Sequence, residues 1–280
     1  MSTTHTERPE AVYALGHTPE EYDRLRMQAR VWADATGRLL DRVALTPGAT
    51  CLDAGCGPGE TMRLMAERTG PAGRVLGIDA DSSLGTMALA TLHASGQRQC
   101  SFHAHDLTAG EPIPGGPFDL VYARLLLFHL PQRVEVLARL WDAVAPGGHL
   151  VVQDYDIRGI TVLPALASVG ELMRVVIGAF HAVGADVHVG ARLPQLFLEA
   201  GIGYPDGTDV AGRLEPLATG SALLERTFRS VLPTAVAHGI TTEADAAASL
   251  ASADRDATRH AGCPMTWPLL IGAWKRKEQA

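Results

Sequence analysis

The chain holds only four cysteines in 280 residues, Cys51, Cys56, Cys100 and Cys263. None stands at CxxC spacing, so neither a disulfide scaffold nor a paired-cysteine metal site is expected. Runs of lysine and arginine are also missing, and the formal net charge is −7. Neutralising phosphates takes concentrated positive charge, so no nucleic-acid partner is expected. No stretch approaches the roughly 18 continuous apolar residues of a membrane span, and Met1 to Glu10 is polar, with no apolar h-region. These absences predict a cytoplasmic protein with no membrane partner. His103 and His105 alternate around Ala104, which reads as one face of a strand, and no metal is assigned.

What is present is 46% apolar residue content, enough to bury a full core as one large domain or as a domain with a lid. From about Pro19 to Leu45, Leu25, Val31, Trp32, Leu39 and Leu40 recur at helical spacing, and residues 1–46 read as an N-terminal helical cap. Residues 47–280 then alternate strands with helices. Ala49 to Asp53 is a short strand ending in a glycine loop, with a helix from Glu60 to Arg68 and a second strand from Arg74 to Asp79. A helix at Ser82 to Ala94 follows, then strands at Gln99 to Ala104 and Phe118 to Tyr122 and a helix at Pro131 to Ala145. Pro146-Gly147-Gly148 is read as a turn into a strand at His149 to Tyr155. Each parallel crossover needs a long connection, so the pattern predicts an α/β fold with a doubly wound, mostly parallel sheet. Beyond Asp156 the pattern changes, and lid insertions are placed at about 157–192 and 217–262. Helices are expected at Leu163 to Val183, Ser221 to His238 and Thr241 to Thr258, and a last strand at Trp267 to Trp274. Lys275-Arg276-Lys277 is expected to be a solvated terminus.

Three features fall at the carboxyl ends of consecutive strands, where a doubly wound sheet places its ligands. Gly55, Gly57 and Gly59 let backbone approach a ligand ahead of a helix N-terminus. Asp79 stands about 20 residues further on, where an acid can accept from the two hydroxyls of a ribose. Asp106-Leu107 offers a carboxylate for an exocyclic amine and an apolar side chain for a purine ring. An NAD-dependent reductase shares this arrangement, but the third glycine of a dinucleotide loop is replaced by Glu60, whose charge opposes a pyrophosphate at that helix end. A ligand without phosphate is indicated.

In order along the chain, Cys51-Leu52-Asp53-Ala54-Gly55-Cys56-Gly57-Pro58-Gly59, Val75-Leu76-Gly77-Ile78-Asp79, His105-Asp106-Leu107, Phe118 to Arg124 and Pro146-Gly147-Gly148 resemble the successive motifs of class I S-adenosylmethionine-dependent methyltransferases. The similarity covers roughly residues 15–200. It is nearest to a bacterial group acting on small molecules, of natural-product type, which also carries Leu15-Gly16-His17 and Arg24-Leu25 with Gln28. The resemblance implies a seven-stranded sheet of Rossmann-like type with its last strand antiparallel, S-adenosyl-L-methionine as cofactor, and a role in secondary metabolism. It further implies that Asp53 orients the loop, Gly55 and Gly57 pass beneath the methionine portion, and Asp79 with Ala80 meets the ribose. Asp106 and Leu107 would hold the adenine. Arg124 would close over the methionine end, with Gln28 or Arg30 reaching down from the N-terminal helices.

Methyl transfer is an in-line displacement, in which positioning contributes on the order of 7–11 kcal/mol and a general base 10²–10⁴-fold. Candidate bases are His129 after the fourth strand, Tyr155 and Asp154 at the end of the fifth, and Glu171 and His181 on the lid helix. The apolar lid and Trp267 suggest a small hydrophobic or aromatic acceptor. Carbon methylation of a prenyl diphosphate is an alternative, drawing its cations from Arg158, Arg174 and Arg192. A non-catalytic S-adenosylmethionine-binding protein is another. The N-terminal helices could cover the chain's own site or a neighbour's, which leaves a homodimer open.

Overall fold

The computed structural model describes residues 19–279; Leu15-Gly16-His17 lies outside them. Two helices, α1 (Pro19–Val31) and α2 (Ala33–Arg42), lead into alternating strands and helices. These are β1 (Thr50–Ala54), α3 (Glu60–Thr69), β2 (Arg74–Asp79), α4 (Ser82–Ala94), β3 (Cys100–Ala104), β4 (Phe118–Arg124), α5 (Arg133–Asp142) and β5 (Val144–Asp156). After β5 come β6 (Thr161–Val162), α6 (Ala167–Ala182), α7 (Val189–Glu199), β7 (Gly207–Ala211), β8 (Leu214–Pro216), α8 (Leu217–Ala237), α9 (Glu243–Arg259), β9 (Pro264–Thr266) and β10 (Leu269–Arg276).

Seven strands form one sheet in the order β3-β2-β1-β4-β5-β10-β7. Strands β1 to β5 are parallel, and β10 runs antiparallel between β5 and β7. β1 and β4 read as continuous apolar runs because both faces of a parallel sheet are covered. On one face Leu39, Leu40, Met65 and Leu92 pack on Cys51 and Tyr122; on the other, Leu137, Leu140, Leu193 and Phe197 pack on Leu52, Val121 and Val152. The chain leaves β1 in one direction across the sheet and enters β4 from the other, so a crevice opens beyond the carboxyl ends of these two neighbours.

Three local expectations are corrected. Pro146-Gly147-Gly148 lies within β5, which begins at Val144. The register slips there, Phe118 facing Val144 and Leu120 facing His149, so the segment is a bulge and not a turn. Gly148 is required because a Cβ would stand 2.8 Å from the Asp119 carbonyl oxygen. The basic tail is not simply solvated: Lys277 Nζ donates to the Trp141 and Val144 carbonyl oxygens at 2.9 Å, satisfying carbonyls at the end of α5. Lys275 pairs with Asp206 at 2.7 Å. Within 157–192, only α6 belongs with the later helices, because α7 packs on β5 and β10 as part of the main sheet's cover. Gly190 permits that approach; a Cβ there would lie 2.4 Å from the Asp154 carbonyl oxygen.

The helices α6, α8 and α9 share a second core with Trp32, Tyr155 and Trp267. A small sheet of order β6-β9-β8 runs beneath them. No helix among the described residues is long and apolar enough to cross a membrane.

Candidate active site

The loop after β1 is fastened to the end of β2. Gly55 and Cys56 N–H both donate to the Ile78 carbonyl oxygen, at 2.9 and 3.0 Å, and Gly57 N–H donates to Asp79 Oδ2 at 2.8 Å. This path needs positive φ, 68° at Gly55 and 47° at Gly57, which glycine adopts without steric cost. A Cβ at Gly57 would meet nothing within 4 Å, because that residue faces a cavity of about 600 Å³. At the same loop's end, Glu60 pairs with Arg63 in the first turn of α3, a stabilising place for an acid and a poor one for a phosphate.

Asp79, Ala80 and Asp81 form the cavity wall beside the loop. Burial pushes the Asp79 carboxyl up, opposed by the N–H groups of Asp81 and Gly57. Asp81 N–H donates to Oδ1 at 2.9 Å, so both Asp79 oxygens accept from backbone, and a carboxylate has lone pairs beyond these. Asp81 Oδ1 caps α4 through the Ser83 and Leu84 N–H groups, and its Oδ2 accepts from Tyr22 on α1 at 2.9 Å. Beyond β3, Asp106 and buried Leu107 also line the cavity. Asp106 Oδ1 accepts from the Thr108 N–H and hydroxyl. His105, 8% exposed, lines the same wall, and its Nε2 has no partner among the described residues.

Asp53 is buried and does not line the cavity. Burial pushes its carboxyl up to about 7, with Arg124 acting in the opposite direction, and Oδ2 has no partner among the described residues. Arg124 lines the cavity while Nη1 donates to the Thr36 hydroxyl at 3.1 Å, which ties β4 to α2.

Across the cavity, α1 presents Arg24 and Gln28, one helical turn apart. The Arg24 guanidinium donates through Nε and Nη2 to the Glu21 carboxylate and through Nη1 to Gln28 Oε1. Gln28 Nε2 donates to the Tyr155 phenol oxygen at 2.9 Å, and Trp32 Nε1 donates to the same oxygen at 2.6 Å. The remaining wall is apolar, with Met173 and Phe180 from α6, Leu223 and Leu224 from α8, and Met265 and Trp267.

Besides Asp53, three expected site residues lie off the cavity. Arg30 is exposed and off the cavity, since it stands two residues, about 200° around the helix, from Gln28. Glu171 is on the outer side of α6, paired with Arg174 at 2.7 Å, and that contact holds its carboxyl below the usual range. His181 is exposed. The cavity-facing positions of α6 are Met173, Val176 and Phe180, which puts Glu171 about 200° and His181 about 100° away from that face.

Of the remaining candidate bases, His129 lines the cavity, but burial and the nearby Arg24 push its imidazole down to about 3. It stays neutral and is a weak proton acceptor. Tyr155 also lines the cavity, with its phenol raised by burial, so it too is unsuited as a base. Asp154 points away, accepting from the Phe128 and Tyr155 N–H groups. Arg158, Arg174 and Arg192 are paired with Asp156, Glu171 and Asp186, and none lines the cavity. The cations expected for a diphosphate are therefore not at the site.

Tyr22 and Asp81 also line the cavity and were not assigned from the sequence, and His105 was read only as part of the motif with Asp106 and Leu107. The spacing of Glu21, Arg24 and Gln28 on one face of α1 was the available signal, because polar residues repeating at helical period mark a face as surely as apolar ones.

Residues 51–148 match the family model described as a methyltransferase domain. A trans-aconitate 2-methyltransferase from Paracidovorax citrulli is 38% identical over 120 residues, 43% of this chain and 44% of that protein. The chain thus spans under half the length of the curated relatives it matches. Among solved structures, a candidate methyltransferase from Bacillus halodurans superposes with a TM-score of 0.59 at 13% identity, covering 87% of this chain and 99% of the other. Phosphoethanolamine N-methyltransferase 2 of Haemonchus contortus, solved with S-adenosyl-L-methionine, gives a TM-score of 0.51 at 18% identity, covering 88% and 53%. With the glycine loop, Asp79 at the end of β2 and the seven-stranded sheet in place, residues 51–148 match a methyltransferase domain and the fold is that of the class I, S-adenosylmethionine-dependent methyltransferases.

Proposed function

We propose that the protein transfers a methyl group from S-adenosylmethionine to a small, largely apolar acceptor enclosed by α1, α6 and α8. One observation carries this reading: a single cavity joins the glycine loop and Asp79 to the apolar wall of Met173, Phe180, Leu224 and Trp267. The residues fit the cofactor. Gly57 leaves open the space a side chain would fill, Asp79 retains lone pairs for two ribose hydroxyls, and His105 Nε2 is a buried polar atom awaiting a partner. When bound, S-adenosylmethionine supplies an electrophilic methyl on a sulfonium.

The protein's part is positional. Gly55 and Gly57 bring backbone under the ligand, Leu107 covers an aromatic ring, and α1 closes the cavity from above through Tyr22 and Asp81. Apolar side chains at the acceptor end exclude water, which would compete for the methyl. Neither His129 nor Tyr155 is suited to remove a proton, so the rate enhancement rests on near-attack positioning, on the order of 7–11 kcal/mol.

The charge on the wall bears on the acceptor. Arg24 and Arg124 are set against Glu21, Asp79, Asp81 and Asp106, and both arginines already have protein partners. Asp79, Asp81 and Asp106 stand at the glycine-loop end, so the acceptor end holds the Glu21–Arg24 pair beside Arg124 and is otherwise apolar, which favours an uncharged acceptor over a tricarboxylate such as trans-aconitate or a prenyl diphosphate. We place the protein in the cytoplasm, in secondary metabolism of small molecules, on the polar surface charge and the apolar cavity.

Calorimetric titration with S-adenosylmethionine, S-adenosylhomocysteine and NAD(H), alongside Asp79→Ala, tests the reading. Micromolar binding of the adenosyl ligands only, lost in the variant, supports it, and turnover in a screen of apolar acceptors separates an enzyme from a sensor. Binding of NAD(H) instead would overturn it.

A further inference from the structure

The hydrogen bonds leading from α1 to Tyr155 run in one direction only. Arginine has no acceptor atom, so Arg24 must donate to Gln28, and that fixes the Gln28 amide with Oε1 toward Arg24 and Nε2 toward Tyr155. An indole nitrogen is likewise only a donor, so Trp32 also donates to the phenol oxygen. Both lone pairs of that oxygen are then taken, and the Tyr155 proton has to point elsewhere. Among the described residues no acceptor meets it.

A second donor stands in the same half of the cavity. Trp267 is 5% exposed and lines the cavity, and its Nε1 has no partner among the described residues. Gly220 packs close beside it: a Cβ there would stand 3.4 Å from the Trp267 nitrogen and 3.1 Å from Met265 Sδ. Trp32 packs edge-on against both rings, with centroids 6.1 Å from Tyr155 and 6.3 Å from Trp267. A buried donor left unsatisfied is costly, and two stand around one tryptophan.

Resting on the methyl-transfer reading, we propose that the Tyr155 hydroxyl and the Trp267 indole N–H anchor the acceptor, an otherwise apolar molecule presenting oxygen of the carbonyl type. Two donors call for lone pairs, and a carbonyl oxygen offers two while bringing no proton of its own to be satisfied. Tyr155 is thus a substrate-binding donor, and the surrounding methionine, leucine and phenylalanine side chains receive the hydrocarbon.

The probe pair is 1-acetonaphthone and 1-isopropenylnaphthalene, which differ by oxygen against methylene at the same position. Both are titrated into wild-type protein, with and without S-adenosylhomocysteine, and into Tyr155→Phe and Trp267→Phe. The ketone is expected to bind about threefold to tenfold tighter than the alkene. The ratio of ketone to alkene affinity, taken within each protein, should shrink in each variant, while S-adenosylhomocysteine affinity stays put. In a ¹⁵N–¹H spectrum of the wild type, the Trp267 indole signal should move with the ketone and not with the alkene. Equal affinities in the wild type, an unmoved indole signal, or failure of both probes to bind overturns the proposal. Loss of S-adenosylhomocysteine binding with the ketone preference intact would instead overturn the methyl-transfer reading.

Discussion

Asp79 Oδ2 accepts the backbone N–H of Gly57 at 2.8 Å, so the acid that faces the cavity also holds the glycine loop in its left-handed path. On the proposed reading, Asp79→Ala removes both the ribose contacts and the loop fastening. Two charge-assisted hydrogen bonds lost should weaken S-adenosylhomocysteine binding by about 100-fold or more. Calorimetry reads the loss directly, and unchanged affinity would remove Asp79 from the site.

The Glu21–Arg24 pair is almost wholly buried, 2% and 5% exposed at the side chains. Replacing Arg24 removes the buried counter-charge of Glu21, which also accepts from the Ser230 hydroxyl, so Arg24→Met is expected to destabilise the fold by about 3 kcal/mol. The double variant Glu21→Gln with Arg24→Met strands no charge and should recover much of that. Urea unfolding of the three proteins settles it; equal losses in single and double variants would contradict the coupling.

Glu171 and His181 are outside the cavity, as is Arg30. Alanine at each should leave S-adenosylhomocysteine affinity and turnover within about twofold and stability within about 1 kcal/mol, as for other exposed positions. A tenfold loss of turnover in Glu171→Ala would return a base to α6.

Burial pushes the carboxyls of Asp53 and Asp154 up to about 7. In the unfolded chain they titrate near the ordinary carboxylate value, so between that value and 7 the folded protein holds protons the unfolded chain has released. Their contribution to stability is full below the ordinary value and is lost as pH rises through about 7. These two carboxyls pull the unfolding free energy down from pH 5 to about pH 7, while His129, kept neutral in the fold, acts in the opposite direction below its ordinary value. Asp53→Asn should therefore shift the slope of the profile upward relative to wild type over that interval, and an unchanged slope would contradict the assignment.

The sheet was legible because its strands are continuous apolar runs closed by glycine or acid, and β2 and α4 begin and end where the spacing places them. The glycine-loop end of the cavity was legible too, since Gly57, Asp79 and Leu107 stand at strand ends that topology alone brings together. The two- and three-residue strands β6, β8 and β9 carry no alternation to read. The acceptor half was harder for a geometric reason: Glu171 interrupts an apolar helix, yet which side of α6 it occupies depends on how that helix is rotated against α8. Trp267 was noticed for its bulk, while its free N–H is a property of neighbours as remote in sequence as Gly220.

Strand β9 hydrogen-bonds to β6 on one side and β8 on the other, joining three stretches that come from before α6, before α8 and after α9. The helical cover is consequently a single graft in the sense of chimera construction. Exchanging α6 or α8 alone with a relative would break the seam that β9 makes, whereas residues 157–182 and 212–268 moved together carry their own internal pairing. Diversification of the acceptor among proteins built on this plan is expected to proceed by correlated replacement of both stretches, with the segment from β1 to β5 left as common ground.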